Sequence, residues 1–189
     1  MRAAVLGASG FFGSHVVEQL GQAGHSVCAL VSPTSDRSFL DALGVTVQPI
    51  DYSDASLVDA MRDTDVVYNC TADTRMHLDQ AARQAVEVDL TRRVIRAARE
   101  VGAGRFVQLS TIQVYGPLPD AAVDEDFPCK PVHDYQRAAV AREEVVRSEA
   151  DEAELPWVLV RPVTTTGARD TSLMANLYPA HRAGVFPIT

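Results

Sequence analysis

Lysine is almost missing from this chain: of 17 basic residues only Lys130 is a lysine, and the rest are arginines. Positive charge is short overall, with 25 acidic residues and a net charge of −8. A surface of that sign repels a phosphate backbone, which excludes nucleic acid as a partner. Cysteine is scarce too. Cys28, Cys70 and Cys129 stand far apart with no C-x-x-C pair, so a disulfide framework and a thiolate zinc site are excluded and reduced thiols are expected. His15, His77 and His133 lack ligand spacing with carboxylates, so no metal is expected. No stretch reaches the roughly 18 apolar residues of a membrane span. The opening MRAAVLGASGFFGSHVV is apolar, but glycines interrupt it, and it reads as strand and turn rather than as a targeting peptide. These absences leave a soluble, cytoplasmic protein with a small-molecule substrate and no membrane partner as the expectation.

What is present is alternation. The 189 residues, 47% of them hydrophobic, suffice for one domain with a real core. Short apolar runs at 2–7, 25–31, 45–50, 65–70, 105–110 and 156–162 alternate with helical periodicity over 11–22, 38–43, 54–62, 79–101 and 135–150. The runs are apolar on both faces, as strands are when helices cover both sides of a sheet. This predicts an α/β fold with a Rossmann-type doubly wound parallel sheet. Residues 1–165 are read as the dinucleotide-binding domain. Residues 166–189 are read as only the start of a small substrate-binding region, cut short. The charged residues between 137 and 152 are expected on an exposed helix face with i,i+4 pairs, and the acidic loop DAAVDEDF (120–127) as a solvated segment near the site.

Residues 7–13 read GASGFFG, three glycines at G-x-x-G-x-x-G spacing between a strand and a helix. Gly7 allows the tight turn, Gly10 the approach of a diphosphate, and Gly13 close packing of helix on sheet. With Ser9, Phe11 and Phe12, they present amides and the helix dipole to the phosphates. Asp51, followed by Tyr52, is placed to accept from an adenine amino group. At the end of the second strand stands Ser32 rather than an acidic residue that would grip a ribose 2′-hydroxyl. Arg37 is the nearest cation for a 2′-phosphate, so the reading leans to NADP with NAD left open. The backbone of Cys70, Thr71 and Ala72 closes the fourth strand against the cofactor, and Pro162 adds a contact after the sixth.

GASGFFG, DYSD (51–54), LSTIQVYG (109–116), DYQRAA (134–139) and VRP (160–162) together resemble the extended (atypical) short-chain dehydrogenase/reductases. That group includes the NAD-dependent epimerase/dehydratases and the dihydroflavonol-reductase-like enzymes. The resemblance implies that Thr111 hydrogen-bonds the substrate oxygen, that Tyr135 transfers the proton and also touches the cofactor, and that the nicotinamide carries the hydride. It further implies a lysine four residues after the tyrosine, holding the nicotinamide ribose and activating the phenol. That position is Ala139. Arg142, Arg137 and Lys130 are the candidate replacements, and restoring the lysine is expected to raise turnover if the rest of the site is intact. Asp89 stands where relatives carry an asparagine, and Thr166 where they carry a tyrosine. Tyr115 reads as a packed structural residue. Two functional readings remain open. One is an NAD(P)-dependent oxidoreductase, epimerase or dehydratase acting on a carbonyl or hydroxyl group. The other is a dinucleotide-binding protein without hydride transfer, either a regulatory pseudoenzyme or an enzyme repurposed for a non-redox step. By analogy a homodimer is expected through helices 79–101 and 135–150, with Val140 and Val146 exposed.

Overall fold

The computed structural model describes residues 1–72 and 80–171. His77 and most of the expected substrate-binding region, 172–189, lie outside the described residues. Six strands form one parallel sheet: β1 (Arg2–Leu6), β2 (Ser26–Val31), β3 (Thr46–Pro49), β4 (Val66–Asn69), β5 (Arg105–Leu109) and β6 (Trp157–Val160). Their order is β3-β2-β1-β4-β5-β6. The chain works outward from β1 to β3, then returns to β4 on the other side of β1. That reversal opens a crevice at the carboxyl ends of β1 and β4, where α/β sheets bind ligands.

The strand residues explain the arrangement. Ala3, Ala4, Val5 and Leu6 are all fully buried, as are Ala29 and Leu30, so both faces of the central strands need cover. One face packs as Val5, Val17, Val27, Ala29, Val31 and Leu40 beneath α1 (Phe11–Gln22) and α2 (Ser38–Leu43). The other is larger and gathers Leu6, Leu30, Leu57, Ile95, Phe106 and Val146. It lies beneath α3 (Asp54–Ala60), α5 (Leu90–Glu100) and α6 (Asp134–Glu152). The expected boundaries hold to within a residue or two for most elements. The stretch expected as one helix over 79–101 is instead α4 (Gln80–Gln84), a π-helical segment (Ala85–Asp89) and α5. Among the described residues no helix is long and apolar enough to cross a membrane.

The inward face of α6 corrects two expectations. Its buried residues are Gln136, Ala139, Arg142, Glu143, Val145, Val146 and Ala150, a stripe at i, i+3, i+4 and i+7 spacing. Val146 is therefore core, fully buried, and not an exposed interface residue. Val140 is half-buried against the cluster of Val114, Tyr115 and Ala139. Arg142 and Glu143 do not belong to a solvated face. Polar side chains that find partners inside make an inward helix face look like an outward one.

Candidate functional site

The glycine turn has the positive φ at Gly7 and the close approach at Gly13 that its spacing predicts. Gly7 has φ +68°, and a Cβ there would lie 2.9 Å from the Cys70 backbone, so the turn sits against the end of β4. A Cβ on Gly13 would come 2.1 Å from the Gly7 carbonyl, which fixes how closely α1 approaches the turn. Gly10 is exposed and is the N-cap of α1, yet no side chain caps that helix. Ser9 is exposed and Phe11 and Phe12 are half-buried beside this uncapped helix start, an arrangement that fits a diphosphate.

The next two strand ends border the same crevice. The Asp51 carboxylate accepts from the Ser53 amide (2.9 Å) and hydroxyl (2.7 Å). These bonds, the amide's first, hold it below the usual carboxylate range. Ser53 in turn caps α3. Tyr52 adopts φ +61°, its carbonyl accepts from Arg93 at 2.8 Å, and its ring packs on the larger core. The Ser32 hydroxyl pairs with Ser35 at 2.8 Å. Arg37 is exposed and meets Asp41 at 3.3 Å.

At the end of β4, Thr71 donates through its amide (3.2 Å) and hydroxyl (2.6 Å) to the buried Asn69 side chain. Asn69 donates to Gln108 at 2.9 Å across the β4–β5 pair. Cys70 lies between, and burial pushes its thiol up to about 12, so it is no nucleophile at neutral pH. Ala72 is exposed.

Thr111 lies two residues past β5 and caps a 3₁₀ turn (Ile112–Tyr115), accepting from the Gln113 amide at 3.2 Å. The Pro162 carbonyl accepts from the Ile112 amide at 3.0 Å. Tyr135 is half-buried in the first turn of α6, and Ala139, 1% exposed, packs on Val114 and Tyr115 of the 3₁₀ turn. Thr111 and Tyr135 thus stand on two elements that pack together. Tyr115 is a packed residue: its hydroxyl donates to the Asp124 carbonyl (3.0 Å) and accepts from Arg161 (2.6 Å). Gly116 at φ +68° lets the Lys130 carbonyl pass where a Cβ would sit 2.0 Å away, which explains the glycine of V-Y-G.

Of the cations proposed for the empty lysine position, two are elsewhere. Arg137 pairs with Asp134 at 2.8 Å on the exposed face, and Lys130 is exposed in the loop. Arg142 is inside, 2% exposed, paired with the carboxylate of Glu87, itself 1% exposed. Asp89 does not reach α6. It is half-exposed and meets Arg92 at 3.5 Å. Glu87 faces inward where Asp89, two positions on in the same π-helical segment, faces water. Arg83, from α4, is a further buried cation, with its guanidinium 5.6 Å from the centre of the Tyr135 ring. The His133 ring stacks on the same tyrosine with centroids 6.5 Å apart.

Beneath Thr111 lies a second ionic group. Glu143 is fully buried and accepts from Ser110 (2.5 Å), Arg161 (2.9 and 2.7 Å) and Arg147 (3.1 Å). Burial works against its carboxylate, but the bonds from Arg161 and Ser110 outweigh it and hold the carboxyl below its ordinary value. A cavity of about 590 Å³ lies behind this group, lined by Arg147, Trp157, Leu159 and Asp126. It does not include Thr111 or Tyr135. Glu87, Arg83, Asn69, Gln108 and Glu143 carry no motif of their own. The only sequence signal is that polar residues interrupt otherwise apolar inward stripes.

Comparison with known proteins agrees with this layout. The model of the NAD dependent epimerase/dehydratase family matches residues 3–185. The low-salt glycan biosynthesis protein Agl12 of Haloferax volcanii is 30% identical over 178 residues, 87% of this chain and 57% of that protein. The 4-hydroxy-2-methyl-3-oxo-4-farnesyl-3,4-dihydroquinoline-1-oxide ketoreductase of Stigmatella aurantiaca is 31% identical over 193 residues, 98% of this chain and 57% of that protein. In fold the chain matches the dTDP-glucose 4,6-dehydratase DesIV of Streptomyces venezuelae, crystallised as a double mutant with NAD. The TM-score is 0.86 at 24% identity, over 97% of this chain and 63% of that one. The chain spans less than two thirds of the length of each of these proteins.

Proposed function

The chain belongs to the NAD-dependent epimerase/dehydratase family, and from that premise we propose that it binds a nicotinamide dinucleotide across the β1–β4 crevice and acts on a carbonyl or hydroxyl of a small molecule. The observation that carries this reading is the uncapped start of α1 behind a glycine turn at the strand-order reversal. The diphosphate sits at Gly7, Ser9, Gly10, Phe11, Phe12 and Gly13. The adenosine half lies toward Ser32, Arg37, Asp51 and Tyr52, and the nicotinamide half toward Cys70, Thr71, Ala72, Pro162 and Tyr135. The bound nicotinamide supplies or accepts the hydride. Thr111 hydrogen-bonds the reacting oxygen, and the Tyr135 hydroxyl gives or takes its proton.

A second reading has its own observation. Ala139 is buried where the resemblance calls for a lysine, and the buried cation of α6, Arg142, is paired with Glu87. This supports the reading of a protein that holds the dinucleotide without transferring hydride. Calorimetric titration of the chain with NAD, NADH, NADP and NADPH, followed by absorbance assays of NADPH and NADH consumption over a carbonyl library, separates the two. The first reading expects heat, consumption, and a fall of about 10²-fold or more in turnover on Tyr135→Phe. Heat without consumption, indifferent to Tyr135→Phe, supports the second. A folded chain that gives heat with none of the four overturns both, and the ratio of NADP to NAD affinity settles the role of Arg37.

A further inference from the structure

The chain turns back after the edge strand β6. Residues 163–168 are all exposed and form neither helix nor strand, yet both ends of this stretch are tied. At the near end the Pro162 carbonyl accepts from the Ile112 amide at 3.0 Å. At the far end Arg169 reaches the first two turns of α1. Its Nε–H donates to the Ser14 hydroxyl (3.0 Å), and one terminal nitrogen donates to the Glu18 carboxylate (2.6 Å) and to Nδ1 of His15 (2.8 Å). Its guanidinium carbon lies 3.8 Å from the centre of the Phe39 ring, on α2. The Ala168 carbonyl pairs with Nε2 of His15 at 2.9 Å. A carbonyl only accepts, so Nε2 carries the imidazole hydrogen and Nδ1 accepts from the guanidinium. Arg169 takes φ +66°, a left-handed backbone that is costly for an arginine and that these bonds hold in place.

The sheet sets the path between these ends. β5 and β4 separate β6 from β1, a crossing of about 14 Å at ordinary strand spacing, well within the reach of the stretch from 163 to 169. Pro162 follows the carboxyl end of β6, and Ser14 lies in the first turn of the helix that follows β1. The stretch therefore passes the carboxyl ends of β5 and β4, which Thr111 and Thr71 follow. A Cβ on Gly167 would lie 3.8 Å from the Phe11 ring, whereas Ser9 and Gly10 stay exposed. We propose that residues 163–169 form a strap across the nicotinamide half of the crevice, and that Arg169 is its latch, so that a dinucleotide exchanges when Arg169 releases α1. This rests on the reading of the crevice as a dinucleotide site. Arg169 is a positioning residue, its charge matched by Glu18. Unlatching lowers a barrier shared by entry and exit, so it speeds both and leaves affinity nearly unchanged. A residue that held the ligand itself would change exit and affinity together.

The test is exchange kinetics on the full chain. Stopped-flow fluorescence on mixing with NADH or NADPH gives the association rate constant, and a chase with excess oxidised dinucleotide gives the dissociation rate constant. Arg169→Met is expected to raise both by about tenfold, the scale of one lost hydrogen bond between charged groups, with Kd within about threefold of the parent. Arg169→Lys keeps a cation for Glu18 but lacks the Nε–H for Ser14, and its two rate constants should fall between those of the parent and Arg169→Met. Glu18→Gln, one turn further along α1, should raise both as well, by less. Circular dichroism checks that each variant is folded, and Glu18→Gln and Arg169→Lys carry the same comparison if Arg169→Met does not fold. Rate constants that stay at the parent's values, or a dissociation rate that rises alone with Kd rising in step, overturn the proposal. A parent chain that gives neither fluorescence change nor heat with either reduced dinucleotide overturns the reading of the crevice itself, a result distinct from unchanged rates in a parent that binds.

Discussion

Ala139→Lys puts the family's lysine back, and the structure gives the outcome a sign that the sequence alone reverses. The position is 1% exposed and its methyl group packs on Val114 and Tyr115. Lysine adds three methylenes and an ammonium to that contact. Overpacking of this kind costs about 1–3 kcal/mol. The ammonium needs a carboxylate, and both nearby ones are engaged: Glu87 holds Arg142, and Glu143 holds Arg161, Arg147 and Ser110. A buried charge without a partner costs about 3–5 kcal/mol, less as the flexible chain finds water in the crevice. A net loss of about 3 kcal/mol lowers Tm by about 6–12 °C for a domain of this size. Arg142→Ala, added to Ala139→Lys, takes Arg142 off the Glu87 carboxylate and one positive charge out of the interior on the same helix face, so the double variant should be more stable than Ala139→Lys alone. Thermal denaturation followed by circular dichroism measures both, and NADPH consumption measures turnover. The reasoning is refuted if Ala139→Lys alone matches the parent in Tm and also turns over carbonyl substrates faster.

Two further changes probe the rest of the site. Gly13→Ala drives a methyl group to within 2.1 Å of the Gly7 carbonyl, so the turn must move; dinucleotide affinity should fall at least about tenfold with a clear loss of stability, and unchanged calorimetric titrations would contradict the assigned turn. Glu143 is held below its ordinary value of 4.5 by bonds that outweigh burial. Its folded form binds fewer protons than its unfolded form between those two values, so its contribution is present above about pH 4.5 and is lost as pH falls below that. Glu143→Gln should cost about 3 kcal/mol near neutrality, because Arg161 loses its buried partner, and should flatten the acid limb of urea stability measured between about pH 3 and 6.

Much of the molecule was written in short-range pattern. Alternating apolar runs and helical periods gave the six strands and the parallel sheet, because strand and helix register depends on residues a few positions apart. G-x-x-G-x-x-G located the turn, since Gly7 needs its positive φ and Gly13 its missing Cβ whatever else surrounds them. The places of Thr111 before V-Y-G and of Tyr135 at the start of a helix were legible, and the structure puts the two residues on adjoining elements. The faces of α6 were not legible. Polar Arg142 and Glu143 suggested solvent and Val146 an interface, whereas all three point inward.

The sequence by itself determined that a glycine turn opens a doubly wound sheet and that no lysine follows Tyr135. Only the tertiary structure decided what stands in that lysine's neighbourhood. Arg142 meets Glu87 across 55 residues, and Arg83 meets Tyr135 from another helix. Such pairings depend on the rotation of each helix about its axis, and a π segment resets that rotation with no mark in the composition. Local chemistry fixes the backbone's course, but which buried charges find each other is set by packing between elements distant in the chain.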